Sequence, residues 1–377
     1  MQRASILVAA AAMVAACGGG GGQSTVTSHS YHAAASVGDF LTITIDHSAE
    51  TISYDNITNG DSGTVAYTPR SDGGIDVPDP NGDILQCYEM PGVAVVCQGT
   101  NLGPTSADTA LVYGILDTPL TVADLGDLDA GFLVFRTKEG GIEVGQVSFD
   151  GSSNGAGTSY FPVDQVLPPG FYGKTLFDDI SMSSTKMSDD QSLGCVEMTP
   201  DGDTDPSYLF GTAGGNFMVD SPNGAIFAFR EAASKDFLPA HAGTYSALVY
   251  NKRVSYLAGV ESTEDLHVGT ATVTVGTSGA ITVTQDSQTV LSSTLLPFEG
   301  SDWQGPGKVV DPVHGLFYVL NADDQLGSYA VPPVFITFFE DAMAFAEFRP
   351  VSTGDFGADP QVPAHYEYTY GIAVRAP

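Results

Sequence analysis

The sequence predicts an all-β protein of antiparallel hairpins and meanders that form two related β-sandwich or β-barrel units. Apolar and polar residues alternate with a period of two in many short segments, and no long segment has helical periodicity. These segments are rich in β-branched and aromatic residues, and Gly, Asp, Asn or Pro bound each of them. Examples are "FLTITI" from Phe40, "GQVSF" from Gly145, "ATVTV" from Ala271 and "YEYTYGIAV" from Tyr366.

The first element is a signal peptide over residues 1–16. Arg3 supplies a positive charge, and an apolar run of about a dozen residues follows it. This run is too short to cross a bilayer as a helix, which needs about 20 residues. We therefore expect an export signal that is removed, and not a membrane-spanning anchor.

The end of this segment, "VAAC" at Val14, Ala15, Ala16 and Cys17, resembles the lipobox of bacterial lipoproteins. The resemblance implies cleavage before Cys17, a diacylglycerol on its sulfur and an acyl chain, such as palmitate, on the new amino terminus. Two or three acyl chains anchor a protein stably, whereas one binds marginally. In this family, an Asp directly after the cysteine favours retention at the inner membrane. Here that position is Gly18. The resemblance therefore implies an exported protein anchored at the outer membrane, on its periplasmic or its surface face. The alternative is an ordinary secretory signal with an incidental cysteine.

Residues 17–31 are predicted to be the lipidated cysteine and a flexible tether. Five glycines follow Cys17, and most of the next residues are Ser, Thr and Gln. A Gly/Ser-rich chain of this length spans roughly 20 Å as a random coil. The tether would hold the folded part away from the lipid surface.

The rest of the chain is expected to form two β domains, residues 32–165 and 166–377. A mature chain of about 360 residues exceeds what one hydrophobic core usually serves. A Val-Gly step that opens a strand, and a Pro-then-Gly pattern before an apolar strand, each occur three times. Residues 240–377 therefore weakly repeat 32–165, although chance similarity of Gly-rich hairpins is the alternative.

Charge is strongly unbalanced, with 13 basic and 45 acidic residues and a net charge of −32. Such a surface repels nucleic acids and anionic lipid head groups, so neither is an expected partner. The apolar content of 42% excludes a disordered chain. Most of the acidic excess is Asp in turn-like contexts, which indicates a solvated loop surface; a saline habitat or cation binding is the alternative.

A disulfide is predicted between Cys87 and Cys97. The Pro-Gly pair at residues 91–92 indicates a turn between two β-prone runs, and a three-residue loop places the cysteines opposite each other. Export places them in an oxidising compartment. Cys195 is then single, and we expect a buried thiol that behaves as a small hydrophobic residue.

One candidate metal site is present, and no other cofactor is expected. Asp201, Asp203 and Asp205 have the spacing of carboxylates that wrap around Ca²⁺. Pro206 and Thr212 replace the glycine and glutamate that an EF-hand needs, so a solvated Asp-rich turn is the alternative. The seven histidines have no ligand spacing and are expected at the surface or in the core.

Aromatic residues supply the candidate ligand-binding positions. Tyr366, Tyr368 and Tyr370 alternate, so they line one face of a strand and could stack on a glycan. Packing of this last strand on its own sheet is the alternative. Trp303 lies in a turn-rich segment, where an exposed indole could contact a ligand.

The function predicted from these features is non-catalytic: a lipid-anchored envelope or cell-surface protein that binds a protein or glycan ligand or supports the envelope. The sequence shows no convergent set of acid, base and nucleophile. Duplicated β units on a lipid tether resemble, in architecture only, outer-membrane surface lipoproteins with paired barrel domains. The alternatives are an anchored hydrolase or carbohydrate-active enzyme, which would use two carboxylates, and a calcium-dependent adhesin.

Overall fold

The structure is a computed structural model, and its described part comprises most of the chain after residue 26. The described residues are 27–79, 82–102, 108–126, 128–137, 141–149, 155–159, 186–199, 206–212, 216–221, 224–257, 260–299, 312–319, 325–326, 329–330, 334–339, 341–353 and 363–376.

Nine strands form a nearly closed barrel-like sheet, which we call the first barrel. They are β1 (Ser28–Ala35), β2 (Phe40–Asp46), β3 (Thr51–Asn56), β4 (Asp61–Ala66), β5 (Thr68–Pro69), β6 (Gly74–Pro78), β7 (Ile84–Met90), β8 (Ala94–Leu102) and β9 (Asp108–Leu116). Each strand pairs with the next along the chain except β4 with β5, and β1 pairs with β9. The alternating sequence of β2 follows from this closure, because Leu41, Ile43 and Ile45 face the interior.

Eight further strands form a second antiparallel sheet, which we call the middle sheet. They are β10 (Asp129–Phe135), β11 (Ile142–Phe149), β12 (Gly155–Ser159), β13 (Lys186–Asp190), β14 (Cys195–Thr199), β15 (Ser207–Gly211), β16 (Asn216–Ser221) and β17 (Gly224–Arg230). The first and last strands, β10 and β17, pair with each other, and β12 and β13 are the edges.

The last eleven strands of the described chain form a third sheet of nine strands, which we call the second barrel, and a separate sheet of two. In chain order the strands are β18 (Gly243–Leu257), β19 (Val260–Val275), β20 (Ala280–Gln285), β21 (Gln288–Thr294), β22 (Leu296–Pro297), β23 (Leu316–Val319), β24 (Gln325–Leu326), β25 (Tyr329–Ala330), β26 (Val334–Phe339), β27 (Ala342–Thr353) and β28 (Pro363–Arg375). Strands β24 and β25 form a separate two-stranded sheet, and the other nine make the barrel.

Helical structure in the described part of the chain is limited to two short turns. These are α1 (Val122–Leu125), which connects the first barrel to the middle sheet, and a 3₁₀ turn (Pro239–His241) before the second barrel. Thr121 and Asp124 form a capping box at the start of α1. Neither turn approaches the length and apolar character that a membrane-spanning helix requires.

The two barrels have the same strand order, which confirms the predicted all-β fold with two related units. In each, the first strand pairs with the last, and the open edge lies between the fourth and fifth strands. The pairing registers show which residues occupy equivalent positions in the two barrels. The pair of Tyr31 and Leu116 in the first barrel is equivalent to the pair of Tyr245 and Arg375 in the second. By the same registers, Glu89 opposite Val95 corresponds to Phe338 opposite Met343.

The middle sheet divides the chain differently from the predicted boundary at residue 165. The first barrel ends at Leu116, and β10 to β12 lie in the middle sheet because β10 pairs with β17. That pairing joins Ala130 to Arg230, a contact between residues far apart in sequence. Local turn signals mark where strands begin and end, but they carry no information on such distant pairing.

Each sheet encloses its own apolar core on one face. Leu41 and Val112 lie in the core of the first barrel, Val273 and Ile336 in that of the second, and Phe132 in that of the middle sheet. Because side chains alternate across a strand, the residues between these core residues point to the opposite face of each sheet.

Those opposite faces meet in one shared core. In β10, Phe132 and Val134 face the middle sheet's own core, whereas Leu133 and Phe135 enter the shared core. Strands β9 and β28 contribute from the two barrels, and all of these residues are buried. Ring contacts cross the junction, among them Tyr113 with Phe227 and Phe135 with Tyr370. The three sheets therefore form one continuous apolar interior.

Tyr370 ties the second barrel to the middle sheet within this shared core. Its side chain is fully buried. The Gly141 N–H donates to Tyr370 Oη at 2.8 Å, and the Arg136 and Gly141 carbonyl oxygens each lie 3.1 Å from that hydroxyl. Burial raises the pKa of Tyr370 well above its usual range, so the hydroxyl stays protonated and available to donate.

We expect Tyr370→Phe to lower the free energy of unfolding by about 1–3 kcal/mol, because the buried Gly141 N–H loses its acceptor. Urea denaturation measures the change. Tyr54→Phe is the control, since its weak 3.4 Å contact to Asp61 is exposed to solvent and its removal should change stability by less than about 0.5 kcal/mol. Equal stability of the Tyr370→Phe variant and the wild type would contradict the assigned junction.

Candidate functional site

A cluster of polar side chains lies at the end of the first barrel where β1 begins and β2 and β7 end. His29 and Tyr31 alternate on β1, so they share a face of the strand, as do Cys87 and Glu89 on β7. Tyr31 and Cys87 belong to the interior core of the barrel. His29 and Glu89 are therefore the next layer of that interior, at its rim. We call this group, with His47, the rim cluster.

The rim cluster brings two imidazoles against one carboxylate. His47 Nε2 lies 2.8 Å from Glu89 Oε2, and His29 Nδ1 lies 3.6 Å from Glu89 Oε1. The side chain of Glu89 is only 3% exposed, whereas that of His47 is 35% exposed and opens the cluster to solvent. One donor atom from each of the three residues lies within 4.8 Å of the others, a separation that a single metal ion can bridge.

Two tyrosines support the rim cluster from inside the barrel. The Tyr31 hydroxyl donates to Glu89 Oε1 at 2.5 Å, and the Gly92 N–H donates to Tyr31 Oη at 3.2 Å. Tyr67 Oη lies 3.0 Å from His47 Nδ1. Burial, reinforced by Glu89, raises the pKa of both tyrosines, so their hydroxyls remain protonated at physiological pH.

The second barrel contains a cavity of about 180 Å³ in its interior. Apolar side chains of the interior core line most of it, including Val273, Val283 and Met343. The next layer along the strands is polar: Asn251, Gln285, Glu347 and Thr369. The Thr369 hydroxyl donates to Asn251 Oδ1 at 2.8 Å. The cavity therefore combines an apolar body with hydrogen-bonding groups at one end.

The predicted disulfide is confirmed. Cys87 and Cys97 are bonded, with their Cα atoms 4.1 Å apart, and they are directly opposite in the β7–β8 pairing. The connecting loop has the predicted three residues, and Gly92 adopts a φ of 74°, which explains the glycine there. Cys195 is free and buried, as expected, and burial raises its pKa to about 12.

The predicted aromatic positions fall in two groups. Tyr368 and Tyr370 are buried in the shared core, so the structure favours packing over glycan stacking for both. The side chain of Tyr366 and the whole of Trp303 lie outside the described part. The same holds for Cys17 and for Asp201, Asp203 and Asp205, so lipidation and the calcium site stay predictions.

The rim cluster was missed at the sequence level, where the histidines showed no ligand spacing. His29 and His47 are 18 residues apart, and Glu89 lies another 42 residues along. The β1–β2 register, which places His29 opposite Ile45, is what brings the histidines together. The expected tether to residue 31 also concealed His29, because β1 begins at Ser28.

Comparison with known proteins gives only distant structural likenesses. No protein-family model matches the chain, and no curated protein matches its sequence. Among solved structures, transferrin binding protein B from Haemophilus parasuis is 8% identical, with a TM-score of 0.25, covering 89% of this chain and 65% of that one.

Isotype 1 transferrin binding protein B from serogroup B Neisseria meningitidis is 12% identical, with a TM-score of 0.23, covering 90% of this chain and 66% of that one. The chain thus spans just under two thirds of the length of each. The intact Ap-TbpB, with N and C lobes, is 9% identical over 92% of this chain and 77% of that one, at a TM-score of 0.22. Scores of this size are too low to establish a shared fold, ligand or cellular role.

Proposed function

We propose that the chain is a lipid-anchored envelope protein with a binding role and no catalytic activity of its own. The lipobox-like "VAAC" ending at Cys17 supports the anchor, and the Gly-rich tether supports display of a folded body above the membrane. Gly18 after the cysteine supports the outer membrane as the location. The described body begins at β1, so about ten residues separate it from the lipid.

The cavity of the second barrel is the observation that carries the binding role. Interiors of small barrels are usually filled with side chains, and the mouths of barrels are common sites for small ligands. Here a space of about 180 Å³, lined by apolar and polar side chains, remains inside a sheet whose strands β18, β27 and β28 bury their other face in the shared core. Fixed walls of this kind favour a preformed site.

The lining indicates the class of ligand. Ten of the fourteen lining residues are apolar, and the polar layer of Asn251, Gln285, Glu347 and Thr369 offers donors and acceptors at one end. A small molecule with an apolar body and one polar end fits that distribution. The volume is close to that of cavities, about 150 Å³, that bind benzene.

The described residues provide no specific observation in favour of the two alternative functions, an anchored hydrolase and a calcium-dependent adhesin. An anchored hydrolase would need two carboxylates across an aromatic-lined cleft. A calcium-dependent adhesin would use Asp201, Asp203 and Asp205, which lie outside the described ranges.

We expect Cys17→Ala to release the protein from membranes, because it removes the lipobox sulfur to which the diacylglycerol would be attached. Cell fractionation and protease treatment of intact cells measure the change. The wild type should sediment with outer membranes, and Gly18→Ser should behave like it. A wild type that fractionates as a soluble protein would contradict lipid anchoring.

Filling the cavity should abolish binding of a small apolar probe. Benzene at about ten times its Kd should stabilise the wild type by about 1.4 kcal/mol in thermal unfolding. Val273→Phe places a ring in the cavity, and the benzene effect should vanish. Thr272→Phe adds the same ring to the exposed face of the same strand and should leave the effect intact. If benzene stabilises the Val273→Phe variant as much as the wild type, benzene binds outside this cavity.

A further inference from the structure

We propose that the rim cluster of the first barrel is a binding site for one divalent first-row transition metal ion. The ligands are His29, His47 and Glu89, whose donor atoms all lie within 4.8 Å of one another. The site is separate from the cavity of the second barrel, so it goes beyond the proposed binding role.

The orientation of the ligand atoms supports an ion rather than a simple ion pair. His47 Nε2 and Glu89 Oε2 approach to 2.8 Å, yet Glu89 Oε2 is buried and makes no hydrogen bond to the described residues. His29 Nδ1 is buried and makes no hydrogen bond within the described part of the chain. Buried polar atoms are almost always hydrogen-bonded. His29 Nδ1 and Glu89 Oε2 are thus two buried ligand-type atoms without hydrogen bonds in one cluster, as expected of residues that bind a common ion.

The surroundings of these ligands also match those of metal centres. In such centres a second group usually fixes the far nitrogen of a ligating imidazole, and ligating carboxylates are themselves hydrogen-bonded. Here Tyr67 Oη contacts His47 Nδ1 at 3.0 Å, and Tyr31 donates to Glu89 Oε1 at 2.5 Å. Both tyrosines are held within the barrel core, so they orient the ligands rigidly.

The related barrel shows that the fold does not require a carboxylate at this position. The register equivalent of Glu89 is Phe338, which is buried and stacks on His241. The equivalent of His29 is Gly243, and that of Tyr31 is Tyr245, whose hydroxyl donates to the His241 carbonyl oxygen. The second barrel thus closes the same rim with an apolar contact. Burying a carboxylate is unfavourable unless a partner compensates it, and a metal ion is that partner.

The donor set selects the class of ion. Two imidazoles and one carboxylate are ligands of Zn²⁺ and of non-haem Fe²⁺, whereas Ca²⁺ and Mg²⁺ prefer oxygen ligands alone. His47 is partly exposed, so an ion can enter from solvent and keep an open coordination position.

The test measures binding of Zn²⁺ and Co²⁺ to the purified full chain after treatment with chelator. We expect one Zn²⁺ per chain by calorimetry, and Co²⁺ should give the visible absorption of a four- or five-coordinate site. Glu89→Gln keeps the shape of the side chain and should weaken Zn²⁺ binding on the order of 100-fold or more. His47→Ala should have the same effect.

Two controls distinguish this site from adventitious binding to an acidic protein. His241→Gln changes a histidine at the corresponding rim of the second barrel and should leave Zn²⁺ affinity unchanged. Glu89→Phe copies the second barrel, so it should fold, keep its Tm in chelator and lose the ion. Failure of the wild type to bind Zn²⁺ or Co²⁺ below about 100 μM, or equal affinity of the Glu89→Gln variant, would overturn the proposal and leave an ion pair only.

Discussion

Burial of both faces of each sheet where the three sheets meet is the constraint on which the rest of the structure depends. A closed sheet normally shows its outer face to water. Here the outer face of strand β9 in the first barrel carries Leu111, Tyr113 and Ile115 into the shared core, and β28 does the same for the second barrel. Because apolar surface on both faces is removed from water, the segments of these strands between the sheets, residues 110–115 and 370–374, carry no charged side chain and are almost entirely apolar. The interior of each barrel is thereby held in a fixed position relative to the others, which is what a preformed site needs.

The two barrels have the same strand order, but different side chains close their corresponding rims. In the second barrel, Phe338, Tyr245 and Arg375 close the rim by packing and by a cation–π contact. In the first barrel, Glu89 and two histidines occupy the corresponding rim, and the interior beneath them is stabilised by the Cys87–Cys97 disulfide. The interior cavity belongs to the second barrel. The same strand order therefore encloses two interiors with different chemistry.

Local signals in the sequence predicted the strands, the hairpin loop at 91–93 and the disulfide, because period-two alternation and turn residues act over a few residues. The same signals predicted two related units, and the predicted first domain, residues 32–165, includes β10 to β12, which pair within the middle sheet. Pairing of β10 with β17 depends on residues about a hundred positions apart, so no short pattern contains it. The rim cluster was invisible for the same reason: its three ligands come from three strand ends, and only the register of a closed barrel brings them together. The tyrosines of the last strand alternate as predicted, but the burial of Tyr368 and Tyr370 depends on the neighbouring sheet.

We infer that the three sheets unfold as one cooperative unit, since none can expose its outer face without disrupting the shared core. Differential scanning calorimetry tests this most directly. We expect a single transition whose calorimetric enthalpy equals its van't Hoff enthalpy. Two or three resolved transitions, or a calorimetric enthalpy two to three times the van't Hoff value, would contradict cooperative unfolding and show that the barrels and the middle sheet are independent domains.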